Sequence, residues 1–498
     1  MKKSVLLLAI LVMAAACGEE KQQPLAPVAI TLSGDVFDIS QAGETVTLTV
    51  TAPSRPYVTA CPAWIRTEAV SAFTDYQIEI TLTVQANYAY ESRTEMVTLK
   101  AGSLSRTVTV TQAGREKPET PIGESAADAV RKMGAGWNLG NSLDANSGDR
   151  THMWIEGSYA APTPANYETA WGQPVTPRAL FQMFKEAGFN AIRIPVTWYP
   201  HMGKVEVHWA DEDWRWDPST WTGYEVDPVW MARVKEIVDY VIDEGMYCIL
   251  NVHHDTGDRG KEKKGTAWLV ADQFDAAKDR YAALWQQIAE TFKDYDGRLL
   301  FESYNEMLDS YDSWCYASFA TPDSYDAAVA QSAYQGINQY AKLFVETVRG
   351  SGGNNAIRNL VINTYGACSG DGTWSSHLTD PLKQLELPEE PGHLAVEVHS
   401  YWNADQFDAQ KTDIDRLFTN LDQYIVRRLG VPVIIGEWGG GDVSDPVASR
   451  FAGYFSQKAH DAGIAAVMWM GLSDGKDRAV PAWTMPLTKD AILKPYLP

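Results

Sequence analysis

The alternation of apolar and polar residues changes character once along the chain. From Val28 to Ala113 it has period two, as in Val46-Thr47-Leu48-Thr49-Val50, Ile78-Glu79-Ile80-Thr81-Leu82-Thr83-Val84 and Thr107-Val108-Thr109-Val110-Thr111. β-branched residues alternating in this way are half-buried strands, and turn residues at short intervals suggest a β-sandwich. Residues 115–125 carry two prolines and several charges and read as a linker. Beyond them the pattern becomes strand-then-helix. Buried strands are predicted at 134–140, 189–195, 246–252, 299–304, 359–364, 394–400, 431–436 and 465–470. Several are continuous apolar runs, as parallel strands covered on both faces require. Amphipathic helices are predicted at 176–187, 229–244, 272–293, 331–350, 411–429 and 443–462. Eight strands with helices between them fit a (β/α)8 barrel. The competing doubly wound sheet would show a glycine-rich phosphate turn after its first strand, and Asn138-Leu139-Gly140-Asn141 is not one. The expected fold class is therefore multidomain. A signal segment (1–16) and tether (17–26) precede an immunoglobulin-like β-sandwich (27–114), a linker (115–125) and a (β/α)8 barrel (126–498).

Composition narrows the class. The 498 residues are 45% apolar and 21% charged, an ordinary globular balance. Lys and Arg total 42 against 64 Asp and Glu, a net charge of −22 at pH 7. That field repels polyanions, so a nucleic acid partner is not expected. Tryptophan, at 18, outnumbers phenylalanine, at 14. Its flat apolar face with a polar edge suits stacking on sugar rings as well as burial.

The N-terminus reads as an export signal. Lys2 and Lys3 precede an apolar stretch from Ser4 to Ala16 that is too short for a permanent span. Cys17-Gly18-Glu19-Glu20 follows, and the whole resembles the signal of Bacteroidetes surface lipoproteins. The resemblance implies lipidation at Cys17, an outer-membrane anchor and surface exposure. The other cysteines, Cys61, Cys248, Cys315 and Cys368, show no CxxC spacing, which argues against a zinc knuckle. Cys248 reads as a core residue, and a Cys315–Cys368 bridge stays open.

Polar residues collect where the predicted strands end, the face that carries chemistry in such barrels. They are Arg193, His253-His254-Asp255, Asn305-Glu306, His399 and Tyr401, Glu437, and Trp469. A carboxylate closing a buried run needs a reason, because burying a charge is costly unless it is paired. Two such glutamates, on the fourth and seventh strands, face one another across a small mouth. That arrangement matches glycoside cleavage by a protonated and an ionised carboxyl, with retention when the two are about 5–5.5 Å apart. Glu302 is read as a barrel-interior decoy. Metal ligation by His253-His254-Asp255 is the competing reading. Against it, adjacent residues of a strand point to opposite faces and no third histidine has matching spacing.

Gly136–Asp144 (GWNLGNSLD), Glu168–Gly172 (ETAWG), Arg193–Trp198, Ile249–Asp255, Phe301–Glu306 and Val433–Gly439 together resemble glycoside hydrolase family 5. The match runs over nearly all of 134–470. The resemblance implies Glu306 as general acid/base and Glu437 as nucleophile. It implies that Asn305 meets the sugar 2-hydroxyl and that Arg193 and Tyr401 orient Glu437. His253, His254 and His399 would bind sugar or tune Glu306, and Trp469 would floor the cleavage subsite. Asn138 and Trp374 are further substrate-binding candidates. No cofactor is expected. Met307 stands where the family commonly has proline, which touches loop shape rather than reaction class. The TVTVTQAG run closing the sandwich and Trp64 after Pro62 resemble a BACON domain. Trp64, Tyr57 and Tyr76 are expected to pack its core, with a spacer role ranked above glycan binding.

Two long loops are rich in aromatics. Residues 199–226 hold Trp209, Trp214, Trp216 and Trp221, and residues 307–330 hold Trp314 and four further rings. They suggest a cleft for a polymer. The glucanase and xyloglucanase branch of the family is the nearest resemblance. It implies a monomeric endo-β-1,4-glucanase on β-glucan. A mannanase, and a non-catalytic glycan-binding lipoprotein on an inactivated barrel, are the alternatives.

Overall fold

The structure, a computed structural model, describes residues 25–87, 92–114, 122–147, 153–159, 161–203, 206–210, 212–217, 223–256, 268–310, 325–371 and 375–497. The signal segment, Cys17, Cys315, Trp221, Trp314 and Trp374 lie outside them, as does most of the 307–330 loop. The chain divides into two compact units, 1–117 and 118–498.

In the first unit eight strands form two four-stranded sheets. Strands β1 (Thr31–Leu32), β3 (Glu44–Thr51), β6 (Gln77–Val84) and β5 (Ile65–Ala69) make one. Strands β2 (Val36–Ile39), β8 (Leu104–Gln112), β7 (Arg93–Ala101) and β4 (Tyr57–Ala60) make the other. The period-two pattern sends Leu48, Val50, Ile78, Ile80, Leu82, Val97, Leu99, Val108 and Val110 into one shared core. The intervening threonines pair outside it, Thr45 with Thr83 and Thr94 with Thr111, each at 3.1 Å. Trp64 packs against this core with the Arg93 guanidinium 4.2 Å from its ring centre. Tyr57 does not join it, since 55% of its surface is exposed and it stands on the outer face of β4.

The second unit is a closed barrel of eight parallel strands. In chain order these are β9 (Ala135–Asn138), β10 (Ala191–Ile194), β13 (Tyr247–Asn251) and β14 (Leu299–Glu302), then β15 (Leu360–Cys368), β16 (Leu394–Tyr401), β17 (Val433–Gly439) and β18 (Ala465–Trp469). All eight fall on the predicted runs. The long helices lie between them at Arg178–Ala187, Pro228–Asp243, Phe274–Phe292, Ala327–Gly350, Phe407–Leu421 and Asp445–Ala462. The predicted 411–429 helix is broken by a π-turn at Asp422–Val426 and stops at Gly430, which adopts a left-handed conformation. Pro177 is the N-cap of the helix that starts at Arg178.

Among the helices outside the predicted runs, the first bears on the site. Ala126–Met133 is capped by Ser125, whose hydroxyl accepts from the Asp128 amide. Its buried face, Ala129, Val130 and Met133, packs against Ala191, Ile249, Leu300, Val361, Ala395 and Ile434 of the barrel strands and closes the end where those strands begin. The opposite end is thereby left as the open mouth. The 199–226 segment also differs from a plain loop, because Glu206–Ala210 and Asp213–Asp217 pair as an antiparallel hairpin, β11 and β12. Among the described residues no helix is long and apolar enough to cross a membrane.

Candidate active site

The described site candidates other than Asn138 lie at the mouth, and strand register explains why. Pairing shifts between β16 and β17 at Val398/His399 and between β17 and β18 at Ile435/Trp438. Such bulges re-aim the residues that follow. Beyond the first of them His399 stands in register with Glu437. Gly436 fits here because a Cβ would lie 1.8 Å from an oxygen of Glu397 on the neighbouring strand.

Arg193 on β10 is the hub and is fully buried. Its Nε and Nη2 donate to the two Glu302 oxygens at 2.6 and 2.8 Å, a bidentate pair. Nη1 donates to Glu437 Oε1 at 2.8 Å and to Asn138 Oδ1 at 3.0 Å. Nη2 also donates to Asn305 Oδ1 at 2.8 Å and approaches Glu397 at 3.3 Å. Glu302 is thus an interior partner of Arg193, as its place within β14 suggested. Burial works against its charge, but the guanidinium outweighs this and holds it below the usual carboxylate range.

Glu437 takes its second strong bond from the Tyr401 hydroxyl, which donates to Oε2 at 2.5 Å. Although 47% of the Tyr401 surface is exposed, desolvation of its hydroxyl and the Glu437 charge push the phenol above its ordinary range, so it remains a donor. Glu306 is held differently. Its Oε1 lies 2.7 Å from His399 Nδ1, and its side chain is 25% exposed against 5% for Glu437. Glu306, His399 and Glu437 present atoms that all lie within 4.8 Å of one another. Burial opposes a charge on His399, but Glu437, Glu306 and Glu397 together push it up to about 10. At neutral pH the ring is therefore an imidazolium, donating from Nδ1 to Glu306 and from Nε2 to Glu397 at 3.1 Å.

His253 and His254 follow the end of β13 and so escape strand alternation. Their rings meet edge to face at 4.5 Å. With Asp144 they bring ligand atoms within 4.8 Å of one another, a grouping hidden from a reading of adjacent residues. The hydrogen bonds nevertheless oppose metal binding by His253. Asn251 Oδ1 accepts from the Val196 amide, so its NH2 faces Glu302 Oε1 and His253 Nδ1, each at 3.0 Å. Nδ1 is then the acceptor, and Nε2, 3.8 Å from Glu437, carries the hydrogen. Burial, with the nearby His254 and Arg193, pushes His253 well below the ordinary histidine range and keeps it neutral.

One candidate changes role. Asn138 was expected to touch substrate, but it is buried beneath the mouth. Its NH2 faces the Gly436, Val467 and Met468 carbonyls and its oxygen accepts from Arg193. It therefore ties β9 to β17 and β18 and orients Arg193. Trp469 closes β18 with its ring parallel to His253, 4° between planes and 5.7 Å between centres. Gly140 makes room for it, since a Cβ there would stand 2.9 Å from the indole. Of the hairpin tryptophans, Trp214 rests on Gly157, where a Cβ would overlap its ring at 2.0 Å. Trp209 stands edge-on to Trp214 at 5.4 Å with 60% of its surface exposed.

Sequence reasoning missed Asn251, Asp144 and Glu397. Asn251 and Asp144 lie inside the Ile249–Asp255 and Gly136–Asp144 motifs without a role of their own, and Glu397 left the signal of a charge between Val396 and Val398 within a buried run.

Residues 156–474 match the family model described as cellulase (glycosyl hydrolase family 5), and residues 56–113 match the BACON model of an N-terminal binding domain. Endoglucanase B of Ruminococcus albus is 35% identical over 352 residues, 68% of this chain and 70% of that protein. A solved broad-specificity endoglucanase from an uncultured bacterium superposes with a TM-score of 0.66 at 46% identity, covering 75% of this chain and 97% of its own. A family 5 enzyme from Prevotella bryantii B14, solved also as a mutant with a xyloglucan tetradecasaccharide, gives 0.61 at 36% identity, covering 76% of this chain and all of that one.

Proposed function

The chain belongs to glycosyl hydrolase family 5, and from that premise we propose that it cuts β-1,4-glucan backbones internally by double displacement. It is a glycoside hydrolase of the endoglucanase kind. The observation that carries the finer reading is the pair of carboxylates on β17 and after β14, whose oxygens come within 4.8 Å. Inverting enzymes need about 6.5–9.5 Å to seat a water between the two groups, and retaining ones about 5–5.5 Å.

The surroundings divide the roles. Glu437 accepts from Arg193 and Tyr401 and is nearly closed to solvent, as suits an ionised nucleophile. Glu306 is the more open group, as suits a proton donor that must reach a leaving oxygen. Glu437 attacks the anomeric carbon while Glu306 gives its proton to the departing oxygen, leaving a glycosyl ester on Glu437. A water then attacks that carbon, Glu306 takes the proton, and the ester oxygen is released to Glu437. The Asn305 carbonyl is taken by Arg193, so its NH2 is the group for a sugar hydroxyl. His253 offers its Nε2 hydrogen beside Glu437, and Trp469 offers a stacking face.

The test is product analysis on β-glucan, carboxymethylcellulose, xyloglucan, glucomannan and xylan. Mid-length oligosaccharides should appear first from a glucan, and proton NMR should show the β-anomer of the new end before mutarotation. Release of the α-anomer first, or no hydrolysis of any polymer, would overturn the reading. Trp209 is proposed as a distal stacking platform held upright by Trp214. Trp209→Ala should raise KM for polymer by about two- to tenfold, the worth of one aromatic contact, and leave kcat on a short aryl glycoside unchanged. The proposed setting is the outer membrane, with Cys17 as the lipid attachment point and the BACON domain as spacer.

A further inference from the structure

Four carboxyl groups, Glu302, Glu306, Glu397 and Glu437, share two cations, Arg193 and His399. Three of the four are almost entirely closed to solvent. Two unbalanced negative charges in such a place would be strongly unfavourable, so the cluster must retain protons. Catalysis as proposed above needs one of them on Glu306. The other has to sit elsewhere in the cluster; Arg193 holds Glu302 ionised, and the nucleophilic attack proposed above requires Glu437 as the carboxylate.

Glu397 is the group left. It is fully buried on β16, and its Oε1 lies 3.1 Å from His399 Nε2 and 3.3 Å from Arg193 Nη2. Its Oε2 is buried and meets no donor, while the Glu302 carboxyl lies within hydrogen-bonding reach of the Glu397 carboxyl. Space for it exists because position 436 has no side chain. The groups facing it are Arg193 from β10, Glu302 from β14, His399 from its own strand and, beyond Gly436, Glu437 from β17; the aligned residue on β15 is the uncharged Asn363. Burial and the Glu302 charge raise its proton affinity, with Arg193 and His399 opposing.

We propose that Glu397 is a positioning residue for the hydrolysis, acting through His399 on Glu306: it fixes the ring between two carboxyls and sets how firmly that ring and Glu306 together hold their proton. The line from Glu397 Oε1 through the imidazole to Glu306 Oε1 is continuous, at 3.1 and 2.7 Å. The inference rests on Glu306 being the acid. As pH rises, the carboxyl of Glu397 becomes negative beside His399, and that charge delays loss of the proton facing the leaving group. A neutral amide of the same shape keeps the bond to Nε2 but cannot supply the charge. Proton affinity at His399 and Glu306 then falls whichever of the two carries the proton.

The test compares wild type with Glu397→Gln in kcat/KM against pH, with thermal melting as the folding control. The alkaline limb should move about one unit toward acid, with KM for a cello-oligosaccharide little changed. An unmoved limb in a folded variant overturns the proposal. The separate Glu306→Gln result decides whether the acid assignment itself stands. Should Glu397→Gln fail to fold, nitrogen NMR of histidine-labelled wild type gives the answer. An imidazolium at His399 at pH 8 is expected, and a neutral ring there overturns the proposal.

Discussion

Glu437→Ala is expected to lower kcat on soluble β-glucan by about 10⁵-fold, the scale seen when a covalent nucleophile is deleted. The loss should be partly restored by azide on an aryl glycoside with a good leaving group. The carboxylate that Arg193 and Tyr401 hold at 2.8 and 2.5 Å is the only atom group of the pair so completely immobilised. Removing it leaves a space of carboxylate size lined by those two donors, which an anion can enter. Azide then attacks from the side Glu437 occupied and yields the α-glycosyl azide. A β-glycosyl azide would mean that the missing group had been the acid/base, and the two assignments would have to be exchanged. The variant should remain folded, because Arg193 keeps both bonds to Glu302, and it should still retain polymer in an affinity gel.

That expectation leans on residues whose importance was visible before any coordinates, and the reason is physical. Parallel barrel strands bury both faces, so they read as apolar runs, and a polar residue ending such a run stands out. Arg193, Glu306, His399, Glu437 and Trp469 were all found this way. Asn138 was found for the wrong purpose, because a sequence cannot say whether an amide at a strand end faces the cleft or the neighbouring carbonyls. Asn251 and Asp144 lie inside the Ile249–Asp255 and Gly136–Asp144 motifs, but their roles are not legible there, because Val196, Glu302 and His254, which they meet, come from other segments. The hairpin at 206–217 reads as loop because β12 alternates tryptophan with charged residues of both signs, Asp213-Trp214-Arg215-Trp216-Asp217, instead of aliphatic with polar residues. The helix at 126–133 did carry a signal in Ser125 and in apolar residues three and four apart. It was overlooked beside a proline-containing linker. The bulges that aim His399 and Glu437 have no sequence signature beyond Gly436, whose lack of a side chain matters only once Glu397 is known to lie across from it.

Glu306→Gln should lower hydrolysis of natural polymer by about 10²- to 10⁴-fold while sparing a dinitrophenyl glycoside. A sugar alkoxide cannot leave from carbon at neutral pH without a proton, whereas dinitrophenolate can. The first step of the aryl substrate therefore does not need Glu306. Its second step does, because the attacking water must lose a proton, so the glycosyl-enzyme should accumulate and appear as a burst of dinitrophenol equal to the enzyme concentration. The amide keeps the shape of the carboxyl and its contact with His399, so a loss of activity cannot be assigned to a collapsed mouth. Equal losses on both substrates, with no burst, would remove Glu306 from the acid role. The His399 ring also meets Glu397, which is closed to solvent where Glu306 is open. That difference in access is why the leaving oxygen is assigned to Glu306, and the burst experiment measures it directly.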